Sequence, residues 1–157
     1  MKKKLSSIFL TLLSLFMVFT MAACGADDMA VVMTTTDTNA NQTELDPHGT
    51  YTTKEDVALY IHLYGCLPDN FITKDEARDL GWEGGSLEPY APGMCIGGDY
   101  FGNYEGLLPE DRDYTECDID TLGANSRGPK RIVFSDDGLI YYTEDHYESF
   151  ELLYGEE

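Results

Sequence analysis

Glu116 and His146 are of the residue types that can move a proton on and off a substrate. Glu116 lies in Tyr114-x-Glu116-x-Asp118, an alternation that puts these three side chains on one face of a strand, with Cys117 and Ile119 on the other. His146 stands between Asp145 and Tyr147. A carboxylate and an imidazole can act as base and acid at one pH when their surroundings hold them in opposite protonation states. Frequency alone favours neither. With 29 acidic residues in the chain, a strand Glu is ordinarily a solvated surface group, and a lone His is ordinarily a surface or core residue. The alternation fits a sheet with one working face.

Cations are scarce, so their positions carry more information. The N-terminus reads Met1-Lys2-Lys3-Lys4, an apolar run from Leu5 through Met21, then Ala22-Ala23-Cys24, the regions of an export signal. The Ala-Ala-Cys ending resembles a bacterial lipobox, with Cys24 the lipid-bearing first residue; secretion with cleavage nearby, or retention as an uncleaved N-terminal helix, are the alternatives. Removing residues 1–23 takes away three of the ten Lys and Arg and none of the acids. Seven basic residues then face 29 acidic ones, a formal net charge of −22. That balance weighs against broad coating of nucleic acid, which needs a basic stripe. Lys74 falls in the first turn of a helix, where the macrodipole disfavours a cation by about 0.3–1 kcal/mol. Such a placement suggests function, although Asp75 and Glu76 would also make a solvated lysine tolerable.

An exported domain with Cys66, Cys95 and Cys117 can form one disulfide and leave one thiol. Cys95 and Cys117 fall in neighbouring predicted strands and are the expected pair. The cysteine spacing fits no zinc motif, and neither a metal nor a cofactor is expected.

The elements that must position these groups follow from local signals. Residues 24–50, rich in Thr, Asn, Asp and Ala and without apolar periodicity, read as a disordered tether carrying the anchor Cys24, and 51–157 as the single folded domain. Thr53 caps a helix that runs through Val57, Ile61 and Tyr64 to Gly65, and Thr73-Lys74-Asp75-Glu76 is a capping box opening a short helix closed by Gly81. After a Gly- and Pro-rich loop, β-like runs lie near 94–101, 114–119, 130–135, 139–143 and 149–154, with a hairpin turn at Asp136-Asp137-Gly138. The expected fold is α+β, N-terminal helices packed on one face of an antiparallel sheet of about five strands.

Several ordered motifs resemble the barnase-type bacterial ribonucleases. They are Leu67-Pro68-Asp69-Asn70-Phe71-Ile72-Thr73-Lys74-Asp75-Glu76-Ala77, Leu80-Gly81-Trp82, Ala91-Pro92-Gly93, Ile96-Gly97-Gly98-Asp99, Asn103 with Glu105-Gly106, Leu108-Pro109, Arg131-Ile132, Leu139-Ile140-Tyr141 and Asp145-His146-Tyr147. The resemblance spans about residues 51–154.

It implies an endoribonuclease that cleaves single-stranded RNA after guanosine through a 2′,3′-cyclic phosphate, with Glu116 as base and His146 as acid. Lys74, Arg127 and Arg131 would hold the phosphate, with Lys130 an alternative for the first arginine because loop 120–130 carries one extra residue. Phe101-Gly102-Asn103-Tyr104-Glu105 would bind guanine, with Glu105 selecting the base and Tyr147 packing beside it. Asp99 would position the cations, and Arg112 and Asp137 would form a structural pair. Tyr104 stands where the family usually has Arg, a change that bears on docking of a barstar-like inhibitor and offers a ring for stacking. A monomer is expected, touching the membrane only through a lipid on Cys24. The competing expectations are an inactive ribonuclease-like binding module and an antibacterial toxin paired with an inhibitor.

Overall fold

The computed structural model describes residues 44–156. The export signal, Cys24 and residues 25–43 of the expected tether lie outside the described residues. Helix α1 (Lys54–Tyr64) begins at Thr53, whose hydroxyl accepts the Asp56 N–H, a cap that contributes about 1 kcal/mol. Gly65, in the left-handed region at φ 69°, ends it with its N–H on the Ile61 carbonyl. Strand β1 (Phe71–Ile72) leads into α2 (Lys74–Asp79), where Thr73 and Glu76 form the expected reciprocal capping box. Then come β2 (Cys95–Phe101), β3 (Tyr114–Asp118), β4 (Arg131–Ser135), β5 (Ile140–Thr143) and β6 (Glu151–Tyr154).

The strands lie side by side in chain order, antiparallel except for β1 beside β2. The fold is α+β as expected, with one strand more than anticipated. β1 has only two residues, too few to leave an alternating pattern.

The sheet has two distinct faces. Cys117, Ile119, Ile132, Phe134, Ile140 and Tyr142 pack beneath Val57, Ala58 and Ile61 of α1. The opposite face carries a smaller cluster of Leu108, Tyr114, Val133, Leu139 and Tyr141, with Phe101, Tyr147 and Phe150 against it. A third cluster joins Ala77 of α2 to Trp82, Leu87, Ala91 and Ile96. One face is therefore closed by a helix, while loops border the other.

Residues 44–50, which composition assigns to the tether, are held against the domain. Tyr64 donates its hydroxyl to the Leu45 carbonyl (2.5 Å), Tyr60 to that of Pro47 (2.8 Å) and Tyr51 to that of Asp46 (3.1 Å). Hydroxyl-to-carbonyl bonds of this kind leave no hydropathy signal.

The expected Cys95–Cys117 disulfide does not form: both cysteines are free and buried, and Cys66 is free and exposed. Register is the reason. Cys117 sits opposite Gly97, so Cys95 is only a diagonal neighbour. Diagonal Cα atoms lie roughly 7–8 Å apart, beyond the usual disulfide span of about 4.4–6.8 Å. Cys95 Sγ faces Thr52 Oγ1 (3.9 Å) and Asn70 Nδ2 (4.0 Å). Burial pushes both thiol pKa values up and keeps the sulfurs protonated.

Candidate active site

The site occupies the sheet face turned away from α1. In the β3–β4 register Asp118 lies opposite Arg131 and Glu116 opposite Val133. β2 reaches the same place through a bulge. Gly97 pairs with Cys117, Gly98 is extra at φ 95°, and Asp99 pairs with Glu116. The inserted residue brings Asp99 to the Glu116 side. Gly97 permits close approach of the two strands, since a Cβ there would collide with Cys117 Cβ and the Phe71 ring.

Two carboxylates thus face the start of α2. The Lys74 N–H donates to Asp99 (3.1 and 3.3 Å), and Lys74 Nζ lies 3.9 Å from Asp99 Oδ2 and donates to Glu116 Oε1. The poor placement of a lysine in a first helical turn is offset by this pair of acids. Glu116 is 7% exposed, and its other oxygen accepts the Tyr147 hydroxyl. Burial, and then this bond to the Glu116 carboxylate, push the Tyr147 phenol well above its usual pKa, so it remains a donor.

His146 is exposed on the loop after β5, its ring centred 4.9 Å from that of Tyr147. Both residues have left-handed backbones, φ 60° and 73°. Such conformations cost on the order of 1–2 kcal/mol per residue and persist only where surrounding contacts impose them. Asp145 supplies those contacts. It accepts from Thr143 Oγ1 (2.8 Å), the Ser149 N–H (3.0 Å) and Ser149 Oγ (2.6 Å), while Thr143 Oγ1 accepts the Tyr147 N–H (3.0 Å).

The Ser149 and Thr143 bonds draw the Asp145 pKa down to about 2 from an ordinary 3.8. A depressed carboxylate stabilises the folded loop above the ordinary value, and that contribution disappears as pH falls through the folded one. The Asp145 carboxyl resonance should therefore titrate near pH 2, with the Ser149 amide shift following it. Titration near 4 would show that the loop is not held this way.

Asp118 organises the arginines. Its side chain is 1% exposed and accepts a two-pronged bond from Arg127, Nε at 2.6 Å and Nη2 at 2.7 Å. Arg131 Nε lies 3.0 Å away as an ion pair without hydrogen-bond alignment. Arg131 Nη1 donates to the carbonyls of Lys130 (2.6 Å), Gly128 (3.0 Å) and Arg127 (3.4 Å). The Trp82 ring lies 5.7 Å from the Arg127 guanidinium. Of the two alternatives for the first arginine, Arg127 lies beside Arg131, whereas Lys130 pairs with Asp120 (2.6 Å) on the surface.

The loop from Phe101 to Glu105 is closed by Asn103, whose amide donates to the Leu108 carbonyl (2.8 Å) and accepts its N–H (3.1 Å). That side chain is therefore engaged within the loop, which leaves Tyr104 and Glu105 exposed at the tip next to Gly102. Phe101 links loop and site through its ring, 5.1 Å from Tyr147. The expected Arg112–Asp137 pair is present at 2.7 Å. Asp118 and Asp145 were not singled out from sequence. For Asp118 the signal was there, an acid at an inward position of an alternating strand.

Such a face suits work at an anionic centre. Guanidinium groups are fixed before any ligand arrives, and the carboxylate beside them sits on a strand, not a mobile loop. The class so defined is an α+β protein whose sheet face sets a nearly buried carboxylate beside a lysine and two fixed guanidinium groups. The sequence pattern of the ribonuclease family matches residues 54–154. A ribonuclease of Bacillus intermedius is 40% identical over 158 residues, covering 94% of this chain and 97% of that protein. A ribonuclease of Heyndrickxia coagulans is 47% identical over 102 residues, 62% of this chain and 93% of that one. The guanyl-specific ribonuclease St of Saccharopolyspora erythraea is 46% identical over 57 residues, 35% of this chain and 56% of that one. The chain belongs to the ribonuclease family, among microbial ribonucleases of the barnase type.

Proposed function

We propose that the protein is an exported endoribonuclease that cuts single-stranded RNA after guanosine, with Glu116 as general base and His146 as general acid. The observation that carries this reading is Glu116 itself, a nearly buried carboxylate between Lys74 and Tyr147 on the face where Asp118 fixes two arginines. In the first step the ribose 2′-oxygen bonds to phosphorus as Glu116 takes its proton. The bond from phosphorus to the 5′-oxygen breaks, and His146 protonates that oxygen. In the second step His146 takes a proton from water, the hydroxide adds to phosphorus, and Glu116 returns its proton to the 2′-oxygen as the ring opens. Lys74, Arg127 and Arg131 would stabilise the charge that accumulates on the pentacoordinate phosphate, Arg131 from a buried position at 3% exposure, where fixed cations contribute several kcal/mol.

Each Glu116 oxygen has a lone pair beyond the one its present donor uses, so the 2′-hydroxyl need not displace Tyr147. Glu105 would select guanine by accepting N1–H and N2–H, donors that adenine does not present on that edge. The relative named guanyl-specific supports the choice of base. An export signal over residues 1–23 would place the enzyme outside the cytoplasm, on a lipid if Cys24 is acylated.

Incubating the full chain with GpA and ApA tests the reading. Hydrogen bonds to a charged group contribute about 1.5–3 kcal/mol each, and solvent access at Glu105 reduces this. GpA should therefore be cleaved roughly 10- to 100-fold faster, through guanosine 2′,3′-cyclic phosphate, and Glu105→Ala should remove the preference. Equal rates for the two dinucleotides would overturn the base assignment. A product series without the cyclic phosphate would overturn the mechanism.

A further inference from the structure

Every Lys and Arg among the described residues has a carboxylate partner. Lys74, Arg127 and Arg131 are paired within the site. Outside it, Lys54 pairs with Glu151 (3.4 Å), Arg78 with Asp75 (2.5 Å), Arg112 with Asp137 (2.7 Å) and Lys130 with Asp120 (2.6 Å). Proteins usually hold nucleic acid by neutralising successive phosphates with unpaired cations. With each cation outside the site beside an acid in so acidic a chain, a neutral contact suits the nucleotides flanking the reacting phosphate better than a further phosphate clamp.

Tyr104 is placed to supply it. The side chain is 90% exposed beside Glu105. A Cβ added at Gly102 would collide with Cε2, Cζ and Cδ2 of the Tyr104 ring, so the ring is propped against the glycine backbone and leaves its remaining surface to solvent. Gly102 thus leaves room for the ring to lie close to its backbone, while the Asn103–Leu108 bonds fix the loop beneath it.

We propose that Tyr104 is a stacking subsite for the base flanking the one read by Glu105, so that RNA longer than a dinucleotide is held by an aromatic surface. The proposal rests on the ribonuclease reading of that loop. Stacking of one base on an aromatic side chain corresponds to roughly 5- to 150-fold in affinity and tolerates any base.

Deoxyoligonucleotides lack the 2′-hydroxyl, so binding is read without cleavage. In calorimetric titrations of the full chain, dAdGdAdA should bind roughly 5- to 150-fold more tightly than dGdA. Tyr104→Ala should abolish that gain and Tyr104→Trp preserve it. The gain should be nearly independent of salt between about 50 and 200 mM, whereas a phosphate contact would weaken steeply over that range. An undiminished gain in Tyr104→Ala, its loss in Tyr104→Trp, or a steep salt dependence in the wild type would each overturn the subsite. If GpA is cleaved but the gain is absent, only the subsite fails. A Tyr104-dependent gain without cleavage of GpA would instead remove the catalytic reading alone.

Discussion

Replacing Asp118 with Asn should lower the stability of the fold by about 3–5 kcal/mol, the cost of removing one partner from a buried ion pair. The substitution keeps the shape of the side chain and removes only its charge. Arg127 can recover part of its hydration, because 23% of its side chain is exposed. Arg131, 3% exposed, cannot. Its Nη1 remains satisfied by three carbonyls, while Nε and the net charge are left without a counter-charge. For a domain of this size each kcal/mol corresponds to roughly 4–8 °C in Tm, so thermal unfolding should shift down by about 12 °C or more. Combining Asp118→Asn with Arg131→Met removes the stranded charge and should recover a substantial part of the loss. A single substitution costing under about 1 kcal/mol would mean that both guanidiniums are adequately solvated without Asp118.

The same network shows what could be read from the sequence. The two helices could, because their caps are local. Thr53 and the box from Thr73 to Glu76 specify their starts through side chains within three residues of one another, and both form. The five longer strands were legible as short β-like runs between turn signals, and the alternation in Tyr114-x-Glu116-x-Asp118 correctly assigned the β3 faces, with Cys117 and Ile119 under α1. Register was not legible. Cys117 faces Gly97, two residues from Cys95, and the Gly98 bulge, which a glycine pair permits but does not announce, then brings Asp99 opposite Glu116. The disulfide expectation failed on the pairing of Cys117 with Gly97, and the meeting of Asp99 with Glu116 is the consequence of the bulge. Contacts between side chains and distant backbone were equally hidden, as in the tyrosine hydroxyls holding residues 44–50. Glu116 and His146 could not be chosen over other acids and histidines from residue type. Resemblance selected them, and the structure links them through Tyr147, bonded to one and packed against the other.

Glu116→Gln and His146→Gln should each slow GpA cleavage by about 10²- to 10⁴-fold, the usual contribution of a positioned base or acid. Their responses to a better leaving group should then diverge. A nucleoside 5′-oxygen departs poorly as an alkoxide and needs a proton as its bond breaks. A 4-nitrophenolate does not. With guanosine 3′-(4-nitrophenyl phosphate) the His146→Gln defect should therefore shrink to within about 10-fold of wild type, because only the discarded step required the acid. Glu116→Gln should stay impaired on both substrates, since attack by the 2′-hydroxyl is common to them. Glutamine preserves the volume between Lys74 and Tyr147 but turns one acceptor into an amide donor opposite the lysine, so its melting temperature must be measured alongside. Hydrolysis of the cyclic phosphate exchanges the roles, and there both variants should be slow. The double variant should fall little below the worse single one, as expected for groups acting in one transition state. If both variants lose the same factor on both 3′-esters, His146 is not the acid for the departing oxygen, and its exposed place on the Asp145-stitched loop would then serve binding instead.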